Sequence, residues 1–194
     1  KKDEIFFIQG AGGGVGTAAI QLAKSAGAKI KWSGRICKIE GVNSLNQTEY
    51  SVMADRIEAG TFCVAAALAK GNLEINNLNP KIINKELNLL KKAGAQIKLD
   101  TNKILIKGPE KIKSIKNIKT EEFPGIPTDL QAQLMVLMCK AVGKSSITES
   151  IFENRFMHVA ELQRLGAKIN IKNNTATIEG NTKFIGAELM SSDL

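Results

Sequence analysis

Three aspartates stand where one kind of chemistry is shared. Asp55, Asp129 and Asp193 each follow a closing strand and open a helix, in Ala54-Asp-Arg-Ile-Glu58, Pro127-Thr-Asp-Leu-Gln131 and Ser191-Ser-Asp-Leu194. Ser, Thr and Asp at such a place are N-cap residues, whose side-chain oxygen accepts from free backbone N–H groups. A helix N-terminus also draws anions through those N–H groups and the helix dipole. For any one aspartate, capping alone is an equal account; three at equivalent places in a repeat point to a shared anion site. A second feature is the run Ile5-Phe-Phe-Ile-Gln-Gly10-Ala-Gly-Gly-Gly-Val-Gly16, which reads as strand and glycine turn before a helix from Thr17 to Gly27. Such a turn lets backbone approach a pyrophosphate closely. Cys37, Cys63 and Cys139 are odd in number and widely spaced, which argues against a disulfide framework or a zinc site and for a reducing compartment. All three read as small core or strand residues. His158, the one histidine, follows Phe156 and Met157 and reads as structural.

The elements that must position these residues show themselves as a repeat. Leu22-Ala-Lys-Ser-Ala-Gly27-Ala-Lys-Ile30, Leu89-Leu-Lys-Lys-Ala-Gly94-Ala-Gln-Ile97 and Glu161-Leu-Gln-Arg-Leu-Gly166-Ala-Lys-Ile169 share one pattern of helix end, Gly-Ala and strand. A glycine there takes a left-handed backbone without steric cost. A second strand then ends in Gly41, Gly108 or Gly180, each 14 residues after its partner glycine. Gly71 and Gly143 precede Gly94 and Gly166 by 23, and each closes an apolar helix, Phe62 to Ala69 and Leu134 to Ala141. Short strands follow at Leu73–Ile75 and Ser146–Thr148. One unit therefore reads helix, strand, helix, strand, strand, which marks a duplicated supersecondary unit. Three such units about a pseudo-threefold axis would gather three helix N-termini at one end.

Composition narrows the function. With 194 residues, 43% hydrophobic and 24% charged, the chain can bury a proper core. No apolar stretch approaches the ~18 residues of a membrane helix, and nothing resembles a signal peptide, so a cytoplasmic protein with no membrane partner is expected. The chain does not begin with Met, which leads us to expect a fragment. The net charge of +8 suits solubility and anionic ligands. One Trp and one Tyr leave no stacking platform for single strands, so no nucleic-acid partner is expected. The basic run from Lys107 to Lys119 reads as a solvated connection.

From Ile36 to Leu194 the chain resembles the second half of the UDP-N-acetylglucosamine 1-carboxyvinyltransferase family of enolpyruvyl transferases. The resemblance rests on Met53-Ala-Asp-Arg-Ile-Glu-Ala-Gly-Thr-Phe62, Phe123-Pro-Gly-Ile-Pro-Thr-Asp-Leu-Gln-Ala-Gln133, Glu149-Ser-Ile-Phe-Glu-Asn-Arg-Phe-Met-His158 and Gly186-Ala-Glu-Leu-Met-Ser-Ser-Asp-Leu194. It implies an α/β (α+β) fold, an inside-out α/β barrel domain of repeated βαβαββ units, here with the third unit incomplete. It implies enolpyruvyl transfer from phosphoenolpyruvate to the 3-hydroxyl of UDP-N-acetylglucosamine, the first committed step towards peptidoglycan. By motif, Asp129 corresponds to the sugar-contacting aspartate and candidate general base, which must reach that hydroxyl proton. Ile151 and Phe152 would pack along the nucleotide sugar. Arg155 and Arg56 would meet anionic ligands with a planar, bidentate fork. Asp55 and Asp193 join the substrate site through the repeat. A surface ion pair of Arg155 with Glu153 or Glu149, and a plain core place for Phe152, are the alternatives. No cofactor and no metal are expected. The family's cysteine loop and its Lys-Asn pair belong to a second domain absent from this sequence, so the piece is expected to be inactive alone.

Residues 1–30 resemble instead the first βα unit of a quinone-oxidoreductase or zinc-type alcohol dehydrogenase, with Ala11, Gly13 and Gly16 in the turn. In repeat register Ile8 aligns with Ile75 and Ile147, so this segment is expected to occupy part of one repeat unit, with the transferase domain at 31–194. An NAD(P)-binding oxidoreductase fragment and a non-catalytic anion-binding repeat domain are the other readings.

Overall fold

The computed structural model describes residues 14–33, 36–40, 44, 46–47, 49 and 51–191. The expected strand at 5–8, the turn residues Ala11 and Gly13, Gly41 and Asp193 lie outside them. The chain divides into two units, residues 1–53 and 54–194.

In the first unit, α1 (Gly14–Ser25) buries Gly16 and Ile20, and Ala26 just past its end is buried too. Gly27 turns the chain at φ +94 into β1 (Lys29–Ser33) and β2 (Ile36–Glu40), an antiparallel hairpin from Lys29↔Glu40 to Ser33↔Ile36.

The second unit runs α2 (Arg56–Leu68), β3 (Asn72–Asn76), α3 (Asn84–Lys92), β4 (Gln96–Asp100) and β5 (Lys103–Lys107). It then repeats as β6 (Ile118–Lys119), α4 (Gln131–Lys140), β7 (Lys144–Thr148), α5 (His158–Arg164), β8 (Lys168–Lys172) and β9 (Thr175–Glu179). The sheets have the orders β3-β5-β4 and β6-β7-β9-β8, so the shared strands match. Asn72↔Lys107 and Gln96↔Lys107 in the first sheet become Lys144↔Glu179 and Lys168↔Glu179 in the second, every partner displaced by 72. The second copy is a full βαβαββ unit. The α1–β1–β2 segment has the helix–hairpin order of the unit's second half.

Within this second unit α2 packs on α4 and the sheets cover the pair. On α2 the buried residues Ala59, Gly60, Cys63, Val64, Ala66 and Ala67 recur at helical spacing and are mostly small, which lets α4 approach. A Cβ on Gly60 would collide with the Leu130 side chain that leads into α4. On α4, Leu134, Met135, Leu137, Met138 and Cys139 bury nearly all round. The strands cover this pair with alternate residues, Ile104 and Ile106 on β5 and Ala176 and Ile178 on β9. Burial raises the Cys139 thiol to about 11, and burial then the nearby Glu86 raise Cys63 to about 11, so both are inert core residues. The run from Lys107 to Lys119 is solvated only in part, because Ile112 and Ile118 are buried in the core.

The two copies close their first helix differently from one another. Gly94 and Gly166 take the expected positive φ, +108 and +94. At the end of α4 Gly143 does so too, at +102, but at the end of α2 the residue turning left-handed is Lys70 at +53, not Gly71. The residue matching Lys70 is Val142, whose branched Cβ disfavours that region, so the turn passes to the next residue.

Candidate active site

Two parallel strands set the site. β6 and β7 pair Ile118 with Ile147 and Lys119 with Thr148, so the residues just past their ends, Thr120 and Glu149, lie side by side. Glu149 is 2% exposed and collects five donors. Its Oε1 accepts from Thr120 Oγ1 at 2.7 Å, Ile151 N at 2.8 Å and Phe152 N at 3.3 Å. Its Oε2 accepts from Thr128 Oγ1 at 2.8 Å and Gln131 Nε2 at 3.3 Å. Burial pushes this carboxyl up, but the bonds from Ile151, Thr120, Thr128 and Phe152 outweigh it and hold the group below the usual glutamate range. Ser150 closes the cluster, its N–H donating to Thr120 Oγ1 at 2.9 Å and its hydroxyl to the Thr120 carbonyl. Gln131 Nε2 also donates to the Arg155 carbonyl at 2.9 Å, which leaves the buried Gln131 Oε1 without a partner among the described residues. Such a buried acceptor costs about 1–3 kcal/mol, so the amide's orientation is set by the two acceptors it serves.

Asp129 is mounted on this hub. It lies in a 3-10 turn, Thr128–Leu130, whose N-cap is Pro127, and α4 follows with Leu130 as its own N-cap. The repeat displacement of 72 carries Asp55 onto Pro127, not onto Asp129. The expectation that Asp129 caps a helix as the repeat partner of Asp55 is therefore corrected. Proline supplies the extended backbone of the cap, φ −70 and ψ 143, with no side-chain acceptor, and no side-chain cap bond forms. Asp55 does cap, accepting from Ile57 N at 2.7 Å and Glu58 N at 3.4 Å at the start of α2. The Asp129 carboxylate meets Arg155 instead, with Nη1 to Oδ1 at 2.7 Å, and the same Nη1 donates to Thr128 Oγ1 at 3.1 Å. The Arg155 guanidinium lies 5.3 Å from the Phe152 ring centroid. Asp129 and Phe152 are each 55% exposed, so neither is plain core.

The structure thus joins Asp129, Arg155 and Phe152 directly, and Ile151 through its N–H on Glu149. Arg56 is otherwise engaged: its Nη1 lies 3.4 Å from Glu86 Oε1 and its guanidinium 4.9 Å from the Phe123 centroid. Glu86, 3% exposed, is pushed above the usual carboxylate range by burial, against which its own backbone bond and Arg56 act only in part. His158 opens α5, its ring 6.4 Å from that of Phe156. Sequence reasoning offered Glu149 only as a partner for Arg155 and passed over Thr120, Thr128 and Gln131. Nothing in their local pattern distinguishes them. No group of His, Cys, Asp and Glu among the described residues is arranged to hold a metal. No helix among them is long and apolar enough to cross a membrane.

Residues 17–194 match the EPSP synthase (3-phosphoshikimate 1-carboxyvinyltransferase) family. A UDP-N-acetylglucosamine 1-carboxyvinyltransferase of Pelagibacter ubique is 62% identical over 169 residues, 87% of this chain and 40% of that protein. One of Desulfosudis oleivorans is 48% identical over 179 residues, 92% of this chain and 43% of that protein. The chain spans about two fifths of the length of these relatives. Among solved structures, the enolpyruvyl transferase NikO from Streptomyces tendae superposes with a TM-score of 0.74 at 22% identity, over 86% of this chain and 40% of that one. EPSP synthase from Acinetobacter baumannii superposes with a TM-score of 0.65 at 22% identity, over 84% of this chain and 40% of that one. These likenesses show the fold.

Proposed function

The chain belongs to the EPSP synthase family of carboxyvinyltransferases, and we propose that it forms part of an enzyme that moves the enolpyruvyl group of phosphoenolpyruvate to the 3-hydroxyl of UDP-N-acetylglucosamine. The observation that carries this reading is the Asp129–Arg155 pair, an exposed carboxylate released from capping and held by a guanidinium at 2.7 Å. In this proposal Asp129 takes the sugar hydroxyl proton as general base. Ile151 and Phe152 pack along the nucleotide sugar, and Arg155 and Arg56 meet anionic groups. Asp55 and Asp193 belong to the same substrate site. The 62% identical relative, which bears the corresponding name, supports the choice of acceptor.

The proposed setting is cytoplasmic peptidoglycan synthesis, and with it cell shape and division, with no nucleic-acid partner. A second transferase domain would supply the opposite wall of the site. Residues 1–30 are proposed to occupy part of one repeat unit, with the transferase domain at 31–194. The helix–hairpin order of α1, β1 and β2 and a family match that begins at residue 17 support the first half of that division. Titration of the protein with UDP-N-acetylglucosamine and, separately, with NADPH tests the reading. Saturable binding of the nucleotide sugar is expected. Binding of NADPH alone would replace it with the oxidoreductase reading, and binding of neither with a non-catalytic anion-binding domain.

A further inference from the structure

We infer that Glu149 is a positioning residue that sets the two halves of the site relative to each other, one carboxylate oxygen for each half. The inference rests on the transferase reading above for the meaning of the two halves. The geometry itself is independent of that reading.

Oε1 serves the sugar-packing side. It takes the N–H groups of Ile151 and Phe152 and the hydroxyl of Thr120, and so fixes the backbone that presents those two side chains. Oε2 serves the side of the proposed base. It takes the hydroxyl of Thr128, next to Asp129, and the amide of Gln131, which also holds the Arg155 carbonyl. Thr128 Oγ1 at once donates to Glu149 and accepts from Arg155, so the guanidinium that meets Asp129 is tied to the same carboxylate. Glu149 is buried and acts through these neighbours. Three of its donors, the two backbone N–H groups and the Gln131 amide, cannot act as acceptors in the present geometry. An amide at position 149 therefore cannot satisfy both sides, although it has the same shape.

The division between oxygens gives an asymmetric test in the complete protein that carries this sequence. Glu149→Gln is expected to lower kcat and raise KM for UDP-N-acetylglucosamine together, each on the order of 10- to 100-fold, as small misplacements in an active site do. Thr120→Val cuts only the Oε1 side and is expected to raise KM with kcat little changed. Thr128→Val cuts only the Oε2 side and is expected to lower kcat with KM little changed. Ile104→Val, a core substitution in the other sheet that only destabilises, should leave both constants alone per folded molecule. Wild-type constants in Glu149→Gln, or the same constant moved by both threonine variants, would overturn the inference. If Glu149→Gln does not fold, the threonine pair decides. Amide hydrogen exchange gives a readout free of turnover. Thr120→Val should speed exchange at Ile151 and Phe152 by 10-fold or more, while Thr128→Val should speed it at Leu130 and Gln131. If the wild-type protein shows no transfer but this exchange pattern holds, the transferase reading fails and the positioning role stands. Uniform exchange in both variants would overturn the positioning role whatever the activity.

Discussion

Asp129 stands in a turn that gives its carboxylate nothing to cap, and this decides what its substitution should do. The pair with Arg155 is half in solvent, so its loss costs no more than roughly 1 kcal/mol. Asp129→Asn in the complete protein should therefore melt within a few degrees of wild type. Phosphate release from phosphoenolpyruvate, dependent on UDP-N-acetylglucosamine, should fall on the order of 10²–10⁴-fold, the contribution of a general base. A folded variant with near-normal release would remove Asp129 from the mechanism. Glu149 gives a second expectation at this scale. Its carboxyl lies below the usual value of 4.5 in the folded chain, so the unfolded chain binds the proton first as pH falls. The stability it contributes is complete above about pH 4.5 and is lost as pH drops through the lower folded value. Melting temperature measured against pH should show wild type and Glu149→Gln converging in acid and apart at neutrality. A constant difference down to the end of the acid limb would contradict the assignment.

At the scale of elements, the strand that closes each unit ends against the helix that opened it. Gly180 N donates to the Gly143 carbonyl at 2.9 Å, and Gly108 N to that of Gly71 at 2.8 Å. A Cβ on Gly180 would overlap the Ala141 carbonyl oxygen, and one on Gly108 the Ala66 carbonyl oxygen. Both obstacles are backbone and cannot swing aside. Gly180→Ala and Gly108→Ala should each cost at least about 2 kcal/mol by denaturant unfolding. Gly186→Ala meets nothing within 4 Å and should stay within about 0.5 kcal/mol of wild type. Equal costs for all three would show that the close approach of strand end to helix end is not what those glycines permit.

For the whole molecule, the chain spans about two fifths of its relatives' length, and the proposed site has its other wall in the proposed second domain. Binding energy used at a reacting centre needs both walls in place. The 194-residue chain alone should release no phosphate from phosphoenolpyruvate above background, with or without UDP-N-acetylglucosamine. Robust release by the isolated chain would show that one unit is sufficient.

The sequence by itself determined the repeat, and it could do so because the repeat is written in local rules. Apolar runs closed by Gly71 and Gly143 mark α2 and α4, and the Gly-Ala step marks the strands after α3 and α5. Gly27, Gly94 and Gly166 stand where the backbone turns left-handed, each a property of a few adjacent residues. The motif likeness marked Asp129, Phe152 and Arg155, and the structure placed Arg155 against each of the other two. Only the tertiary structure decided which aspartate caps and which faces a guanidinium, since both stand before a helix and differ in where the chain returns. Lys70 in place of Gly71 shows the same limit at a helix end, where the neighbouring side chain chooses between two permitted turns. Glu149 shows it most fully. Its donors Thr128 and Thr120 lie 21 and 29 residues away, brought to one carboxylate by the parallel pairing of β6 with β7 and the packing of α4 beneath them. A buried charge is defined by who surrounds it, and that is fixed only when distant strands have met.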